Sequence, residues 1–171
     1  KVTGVQTCAL PIYTDTKSIG DDIREMETMI DGYITFAAGG GEEAPLETDL
    51  ANLLDKMITQ AQRSHKFNIR LLPVKDEIPK FPVRKNAIQR AFSNIISNAT
   101  RYSSEMLVSI HKRNEEVFVT FDDNGAGIPE ERRADAIRPF VRLEKSRNRR
   151  TGGTGLGLSI TSDIILRSEE H

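Results

Sequence analysis

Hydrophobic residues in the first part of the chain recur at helical spacing. Between residue 14 and about residue 36, apolar positions are separated by Asp, Glu, Lys and Arg, which predicts one amphipathic helix without an evident partner. The run AAGGGEE at 37–43 favours a flexible linker, so we expect a domain boundary near Gly40. The apolar positions of the predicted helix are Ile19, Ile23, Met26, Ile30, Tyr33 and Ile34.

Helical and strand patterns alternate through the rest of the chain. The predicted helices cover residues 49–65, 85–102 and 154–166. The first of these helices is expected to be capped by Thr48 or Asp49. Because the alternation lacks a simple βαβ regularity, it predicts an α+β sandwich. Four short strands are predicted, at 67–72, 81–84, 106–112 and 117–122, and Asn114 joins the last two.

Composition and charge exclude several classes of protein. The chain has 171 residues, 37% of them hydrophobic, which suits one compact unit with an appendage. A net charge of -1 gives no overall basic field for nucleic acid or an anionic membrane. The single Cys8 cannot form an internal disulfide, and no apolar run approaches the roughly 20 residues needed to cross a bilayer. We therefore expect a soluble, cytosolic piece with no direct membrane contact and no nucleic-acid partner.

Both ends of the chain look foreign to the rest. VTGVQTCALPI at 2–12 is what a short-read sequencing adapter would encode, and RSEEH at 167–171 is what the same adapter would encode from the opposite strand. An ordinary polar tail would not explain this agreement at both ends. We therefore expect residues 1–13 and 167–171 to be non-native and to have no part in the function.

Two asparagines lie on the helix predicted at 85–102, within AFSNIISN at 91–98. Asn94 and Asn98 are four residues apart, so their side chains project from one face. Their carbonyl oxygens can converge on one hard cation, and Mg²⁺ prefers oxygen ligands while keeping waters and phosphate oxygens. The pair therefore suits a metal–nucleotide complex, although two surface amides at chance spacing would give the same pattern.

Two glycine-rich motifs follow. DDNGAGIP at 122–129 comes after a predicted strand, where glycines let the backbone approach a flat ligand and a buried Asp123 would accept a hydrogen bond from an exocyclic amine. A plain glycine turn explains the same residues. GGTGLGL at 152–158 opens the last predicted helix, whose amides and partial positive charge suit phosphates.

The order of these motifs resembles that of sensor histidine kinases. NxxxN on a helix, DxGxG after a strand, PFVR at 139–142 and GTGLGL before a helix match the N, G1, F and G2 boxes of that family. The resemblance covers about residues 15–166. It is closest to the osmosensor-type kinases of proteobacteria.

The resemblance implies roles for particular residues. Asn98, with Asn94 beside it, would bind Mg²⁺, Arg101 would reach the phosphates, and Tyr102 would lie beside the adenine that Asp123 reads. Asn98 and Arg101 are the implied catalytic residues, and residues 130–152 would form a lid. The glycine and F boxes add the nucleotide-binding residues Gly125, Gly127, Ile128, Phe140, Arg142, Gly153, Thr154, Gly155, Leu156 and Gly157.

A fold, cofactors and partners are implied as well. The fold would be the two-layer α/β sandwich shared by gyrase, heat-shock chaperones and histidine kinases, preceded by one dimerisation helix. The parent would be an ATP- and Mg²⁺-dependent kinase that transfers the γ-phosphoryl group to a histidine, and from there to a response regulator. It would act as a homodimer, with this piece on the cytoplasmic side of a bacterial inner membrane.

The sequence departs from the family in two places. None of His65, His111 and His171 lies in the family's phosphoacceptor motif, and RSEEH stands where two last strands of the sheet are expected. We therefore expect a C-terminally truncated domain that folds poorly. The expected organisation is an adapter-like segment at 1–13, the second helix of a dimerisation hairpin at 14–38, a linker at 39–45, the ATP-binding domain at 46–166 and an adapter-like tail at 167–171.

Two other functions remain open from the sequence. A hydrolytic ATPase of the same fold would need a general base on the helix that carries the asparagines, but Ile95, Ile96 and Ser97 before Asn98 offer no carboxylate. A non-catalytic interaction module is the second alternative. It would show no Mg²⁺-dependent affinity for ATP.

Overall fold

A three-stranded sheet with helices packed on one face forms the body of the structure, a computed structural model. The residues that it describes are 20, 23, 26, 27, 30, 34, 43–64, 67–74, 77–143 and 155–169. The elements with continuous boundaries are, in chain order, β1 (Leu46–Thr48), α1 (Leu50–Ser64), β2 (Asn68–Leu71), β3 (Phe81–Val83), α2 (Lys85–Tyr102), β4 (Glu105–Arg113), β5 (Glu116–Asp123), α3 (Glu130–Ala136) and α4 (Gly157–Glu169).

The main sheet has the strand order β2–β4–β5. Strand β2 runs parallel to β4, and β4 and β5 form an antiparallel hairpin in which Met106 lies opposite Asp123. The hairpin turn contains Asn114 with a φ of 57°, a left-handed conformation that asparagine tolerates. A separate small sheet pairs β1 with β3, with Leu46 opposite Val83.

The core lies between the main sheet and helices α1, α2 and α4. Met106, Val108 and Ile110 alternate along β4 and are buried, because successive side chains of a strand point to opposite faces. Phe92 of α2 packs on Phe121 of β5 with 5.3 Å between ring centroids. This arrangement confirms the predicted α+β sandwich. The helices contribute Leu53, Leu54, Ile58, Ile88, Ala91, Ile96, Ile160 and Ile164 to the core.

The structure selects one of the two predicted caps of α1 and places the start of α4 later than predicted. Asp49, and not Thr48, caps α1, since its Oδ1 accepts a hydrogen bond of 2.9 Å from the Asn52 amide. Thr48 belongs instead to β1, a strand that the sequence did not predict. Helix α4 begins at Gly157 rather than at 154, because the φ of +70° at Gly155 is incompatible with a right-handed helix.

Two further differences concern segments that were not expected to be helical. Residues 130–136, the first part of the predicted lid, form helix α3. Helix α4 continues through residues 167–169, where Arg167 pairs with Asp163 at 2.9 Å and the Ser168 hydroxyl donates to the Ile164 carbonyl. The adapter-like origin of residues 167–171 stays a prediction, and residues 170 and 171 lie outside the described residues.

The six described residues between 20 and 34 are all helical, as the periodicity predicts. Their apolar members Ile23, Met26, Ile30 and Ile34 are 50–61% exposed. A role in dimerisation stays a prediction. The predicted segment 1–13 and the first part of the predicted linker, at 39–42, lie outside the described residues. No helix within the described part of the chain is long and apolar enough to span a bilayer.

The start of α2 is capped by a residue from outside the helix. Arg84 stands at the cap position without a side-chain cap. The Glu43 carboxylate supplies it instead, accepting hydrogen bonds from the amides of Asn86 at 2.8 Å and Ala87 at 3.2 Å. A carboxylate there satisfies free amides and also favours the positive end of the helix dipole. The segment before β1 is thereby attached to the longest helix of the described fold.

We expect Glu43→Ala to lower the free energy of unfolding by about 1 kcal/mol, the usual cost of losing a helix cap. Urea denaturation measures this change. Glu47→Ala is the matched control, because Glu47 is an exposed carboxylate on β1 and caps no described helix. Equal destabilisation by both variants would contradict the capping role of Glu43.

Candidate functional site

Helix α2 positions the first group of predicted site residues. One stripe of the helix is buried in the core, and Asn94 and Asn98 lie half-buried beside it. Arg101 and Tyr102 end the helix and are exposed, Tyr102 by 45%. The burial of the apolar stripe therefore fixes the rotation of the helix and sets the asparagines at the edge of the core. The buried stripe consists of Ala87, Ile88, Ala91, Phe92, Ile96 and Ala99.

The C-terminal end of α2 is joined to the loop after β5 by a side chain that the sequence analysis did not single out. Asn124 Oδ1 accepts hydrogen bonds from the amides of Ser104 at 3.0 Å and Glu105 at 3.1 Å. Its Nδ2 donates to Ser104 Oγ at 3.0 Å. An asparagine just before a glycine commonly forms hydrogen bonds with nearby backbone in this way. The Asn-Gly pair in the sequence could therefore have indicated this role for Asn124. Asn124 thus fixes the distance between the end of α2 and the first glycine motif.

Asp123 and Gly125 form the next part of the site. Asp123 Oδ1 accepts a hydrogen bond of 2.8 Å from the Gly125 amide. The carboxylate is exposed, so the expectation that it is buried is wrong, because Asp123 ends the edge strand β5. A Cβ on Gly125 would lie 2.8 Å from the Tyr102 carbonyl oxygen, a distance that no side chain tolerates. Glycine is required there because the loop backbone packs directly on the end of α2.

The other predicted residues of this loop are described too. Gly127 has a φ of +71°, which favours glycine by conformation alone, since a Cβ there would meet nothing within 4 Å. Ile128 is half-buried, and its carbonyl accepts a hydrogen bond of 3.3 Å from Arg133 Nε of α3. The loop thus leads directly into α3.

The F motif and the second glycine motif contact each other through their backbones. The Phe140 amide donates to the Gly155 carbonyl at 3.0 Å. A Cβ on Gly155 would lie 3.0 Å from both the Phe140 carbonyl carbon and the Val141 oxygen. Phe140 itself has a φ of 64°, which is unusual for a bulky residue and stores on the order of 1–3 kcal/mol of strain. Its ring is 56% exposed, and Arg142 is exposed as well.

The second glycine motif is also joined to α2. Asn94 Nδ2 donates to the carbonyl of Gly157, the first residue of α4, at 3.2 Å. Leu156 is 1% exposed and belongs to the core, so its side chain is not available to a ligand. The predicted residues Gly153 and Thr154, and the lid residues 144–152, lie outside the described residues.

These contacts bring the predicted motifs together around one side of α2. The arrangement offers backbone amides at the start of α4, amide side chains on α2 and one exposed carboxylate at Asp123. Within the described residues no group of three or more His, Cys, Asp or Glu could hold a metal ion. A metal here would therefore depend on the amide oxygens of Asn94 and Asn98 and on oxygens of its own ligand.

A separate crevice lies between β1, α1 and the start of α2. Its volume is about 400 Å³, and its lining includes Lys56, Lys80, Lys85 and Gln89. None of the predicted site residues lines it. The crevice is therefore distinct from the place where the motifs meet.

Comparisons with known proteins identify the family of the chain. The family model described as "Histidine kinase-, DNA gyrase B-, and HSP90-like ATPase" matches residues 83–169, about half of the chain. This match and the α+β arrangement of the described elements indicate an ATPase-type domain. The chain belongs to the histidine kinase-, DNA gyrase B- and HSP90-like ATPase family.

Individual relatives are sensor proteins. The chain is 26% identical over 159 residues to the alginate biosynthesis sensor protein KinB of Pseudomonas aeruginosa, covering 87% of this chain and 26% of that protein. It is 41% identical over 81 residues to the sensor histidine kinase CpxA of Escherichia coli K12, covering 47% of this chain and 18% of CpxA. The chain thus spans about a quarter or less of the length of these relatives.

A solved structure shows the same fold. The full-length ShkA structure in complex with AMPPNP has a TM-score of 0.68 at 20% identity, covering 86% of this chain and 31% of ShkA. At this identity the likeness concerns the fold alone.

Two glycines of the second motif should respond differently to alanine. Gly155→Ala should lower the free energy of unfolding by about 1–2 kcal/mol or more, since it forces an L-residue to a φ of +70° against the Phe140–Val141 backbone. Gly157→Ala is the control, because its Cβ would meet only Asn94 atoms at 3.7 Å or more. Urea denaturation of both variants checks this, and equal destabilisation would show that the close contact at Gly155 is not what requires glycine.

Proposed function

We propose that this chain is the ATP-binding catalytic part of a sensor histidine kinase that uses Mg-ATP to phosphorylate a histidine. The observation that carries the proposal is the attachment of both glycine motifs to one helix. The first packs on the Tyr102 carbonyl, and the second accepts a hydrogen bond from Asn94. A nucleotide that lies along α2 would meet Asp123 at one end and the start of α4 at the other.

The adenine end of this site is formed by Asp123 and Tyr102. Among the residues that the structure describes, only Oδ1 of the Asp123 carboxylate accepts a hydrogen bond, from the Gly125 amide, which leaves Oδ2 as an acceptor for the exocyclic amine of adenine. The same bond orients the carboxylate. The exposed Tyr102 ring lies at the neighbouring end of α2, where it can stack against a base.

The phosphate end is formed by the start of α4 and by α2. The first turn of α4 carries no acidic residue. Its free amides and the positive end of its dipole can therefore bind a phosphate without repulsion from a carboxylate in that turn. Arg101 is exposed on the last turn of α2 and adds a positive charge. Gly153 and Thr154 would extend the amide cradle.

The asparagines fit a magnesium ion held largely by nucleotide oxygens. Asn94 donates its Nδ2 to the Gly157 carbonyl in this structure, and its Oδ1 would serve as an oxygen ligand beside Asn98 once the side chain turns toward the ion. When bound, Mg²⁺ would neutralise charge on the phosphates. The chain's own residues would align the γ-phosphoryl group with a histidine nitrogen. That nitrogen forms the new P–N bond while the bond to the β-phosphate oxygen breaks and ADP leaves.

The proposal includes a domain organisation for the whole chain. Residues 14–38 would be the second helix of a dimerisation hairpin, 39–45 a linker, and 46–166 the ATP-binding domain, with adapter-like ends at 1–13 and 167–171. The exposed apolar side chains at 23, 26, 30 and 34 support a helix that packs on a partner. The parent would be a homodimer in a bacterial inner membrane, with this part in the cytoplasm and a response regulator as the next acceptor.

Exchange of one carboxylate for an amide tests the proposal. Asp123→Asn should weaken ATP binding roughly ten- to a hundredfold, the value of a charge-assisted hydrogen bond of about 1.5–3 kcal/mol. Asp122→Asn is the matched control, because Asp122 is the neighbouring exposed carboxylate on β5. Asn98→Ala should instead reduce the dependence of ATP affinity on Mg²⁺.

Isothermal calorimetry of the 171-residue chain, with and without Mg²⁺, measures these effects. A chain that unfolds cooperatively in urea but shows no Mg²⁺-dependent ATP affinity would favour the non-catalytic module. Unchanged affinity in Asp123→Asn, or an equal loss in Asp122→Asn, would refute the adenine assignment.

A further inference from the structure

The carbonyl of Gly157 stands close to more hydrogen-bond donors than it can accept. Asn94 Nδ2 lies 3.2 Å from it and the Thr161 hydroxyl lies 2.9 Å from it. Because Thr161 is four residues further along α4, its backbone amide also points at this carbonyl. A carbonyl oxygen has two lone pairs, so three donors compete for two positions.

The Thr161 hydroxyl has a second acceptor within reach. It lies 3.3 Å from the carbonyl of Ala91, on the neighbouring helix α2. The side chain of Thr161 is only 8% exposed, so its single proton must be given to one of these two carbonyls or shared between them. Thr161 therefore joins the two helices one turn away from the place where Asn94 joins them.

We infer that Thr161 is a positioning residue that governs how readily Asn94 leaves Gly157 to engage a bound nucleotide. With Asn94 docked on the Gly157 carbonyl, the hydroxyl is shared between the Gly157 carbonyl at 2.9 Å and the Ala91 carbonyl at 3.3 Å. When the Asn94 side chain turns to the metal–phosphate group, the hydroxyl donates fully to Gly157 and replaces the lost bond. The half-buried carbonyl then keeps at least two donors in both states, which lowers the cost of freeing Asn94. This inference rests on the proposed function.

Substitutions of Thr161 can distinguish its hydrogen-bonding role from its packing role. Gly157 carries no Cβ, and one built there would lie 3.7 Å from Asn94 Cβ, so the asparagine side chain approaches the start of α4 without a steric barrier. Valine has nearly the shape of threonine but no hydroxyl. Thr161→Val therefore removes the exchange of donors at the Gly157 carbonyl, in which the Thr161 hydroxyl replaces Asn94, while retaining the packing between α2 and α4. Thr161→Ser retains the hydroxyl.

Calorimetric titration of the full chain with Mg-ATP tests the exchange through a double-mutant cycle with Asn94→Ala. Thr161→Val should weaken affinity about two- to tenfold, the value of one neutral hydrogen bond, and Thr161→Ser should stay within about twofold of the wild type. In the Asn94→Ala background, Thr161→Val should have no further effect, because no asparagine remains to be released.

Thr100→Val is the matched control. It removes a helical hydroxyl that donates to the Ser97 carbonyl of its own helix at 2.8 Å, and it should leave affinity unchanged in both backgrounds. An equal effect of Thr161→Val with and without Asn94 would overturn the exchange, as would a Thr161→Ser variant as weak as Thr161→Val. If the wild-type chain shows no Mg-ATP affinity, the proposed function itself fails and this inference fails with it.

Discussion

Helix α2 must bury one stripe of its surface and present polar side chains along the neighbouring stripe, and the rest of the described site depends on that constraint. Six apolar residues hold the helix against the sheet and α4. Asn94 and Asn98 therefore stand at the edge of the core, where they are half-buried and still reachable. Each glycine motif is placed by a contact with this helix, so a rotation of α2 would displace both.

Close backbone contacts explain why glycines recur at this site. Gly125 packs on the Tyr102 carbonyl, and Gly155 packs on Phe140 and Val141. In both places a methyl group would lie within 3.0 Å of backbone atoms. The protein's own backbone fills the space beside each of these two glycines. Glycine at both positions is therefore required for assembly of the site.

The sequence predicts those features whose cause is local. Helix α2 has its expected bounds because its apolar residues keep the helical period over 18 residues. Strand β1 was missed because three residues form a strand only when β3 pairs with them, and α3 was missed because only Ala136 of its seven residues is buried. Asn124 and Thr161 were missed because their acceptors or donors lie about 20 and 70 residues away along the chain.

If the nucleotide binds where the motifs meet on α2, amide chemical-shift mapping by NMR will locate it there. Titration with Mg-ATP should shift the amides of residues 94–102, 123–128, 140–142 and 155–161, because all of these lie around the predicted ligand. The crevice lined by Lys56, Lys80 and Gln89 serves as the internal reference, since lysines attract phosphate without any built site. Shifts concentrated around that crevice, with residues 94–102 and 155–161 unchanged, would contradict the account.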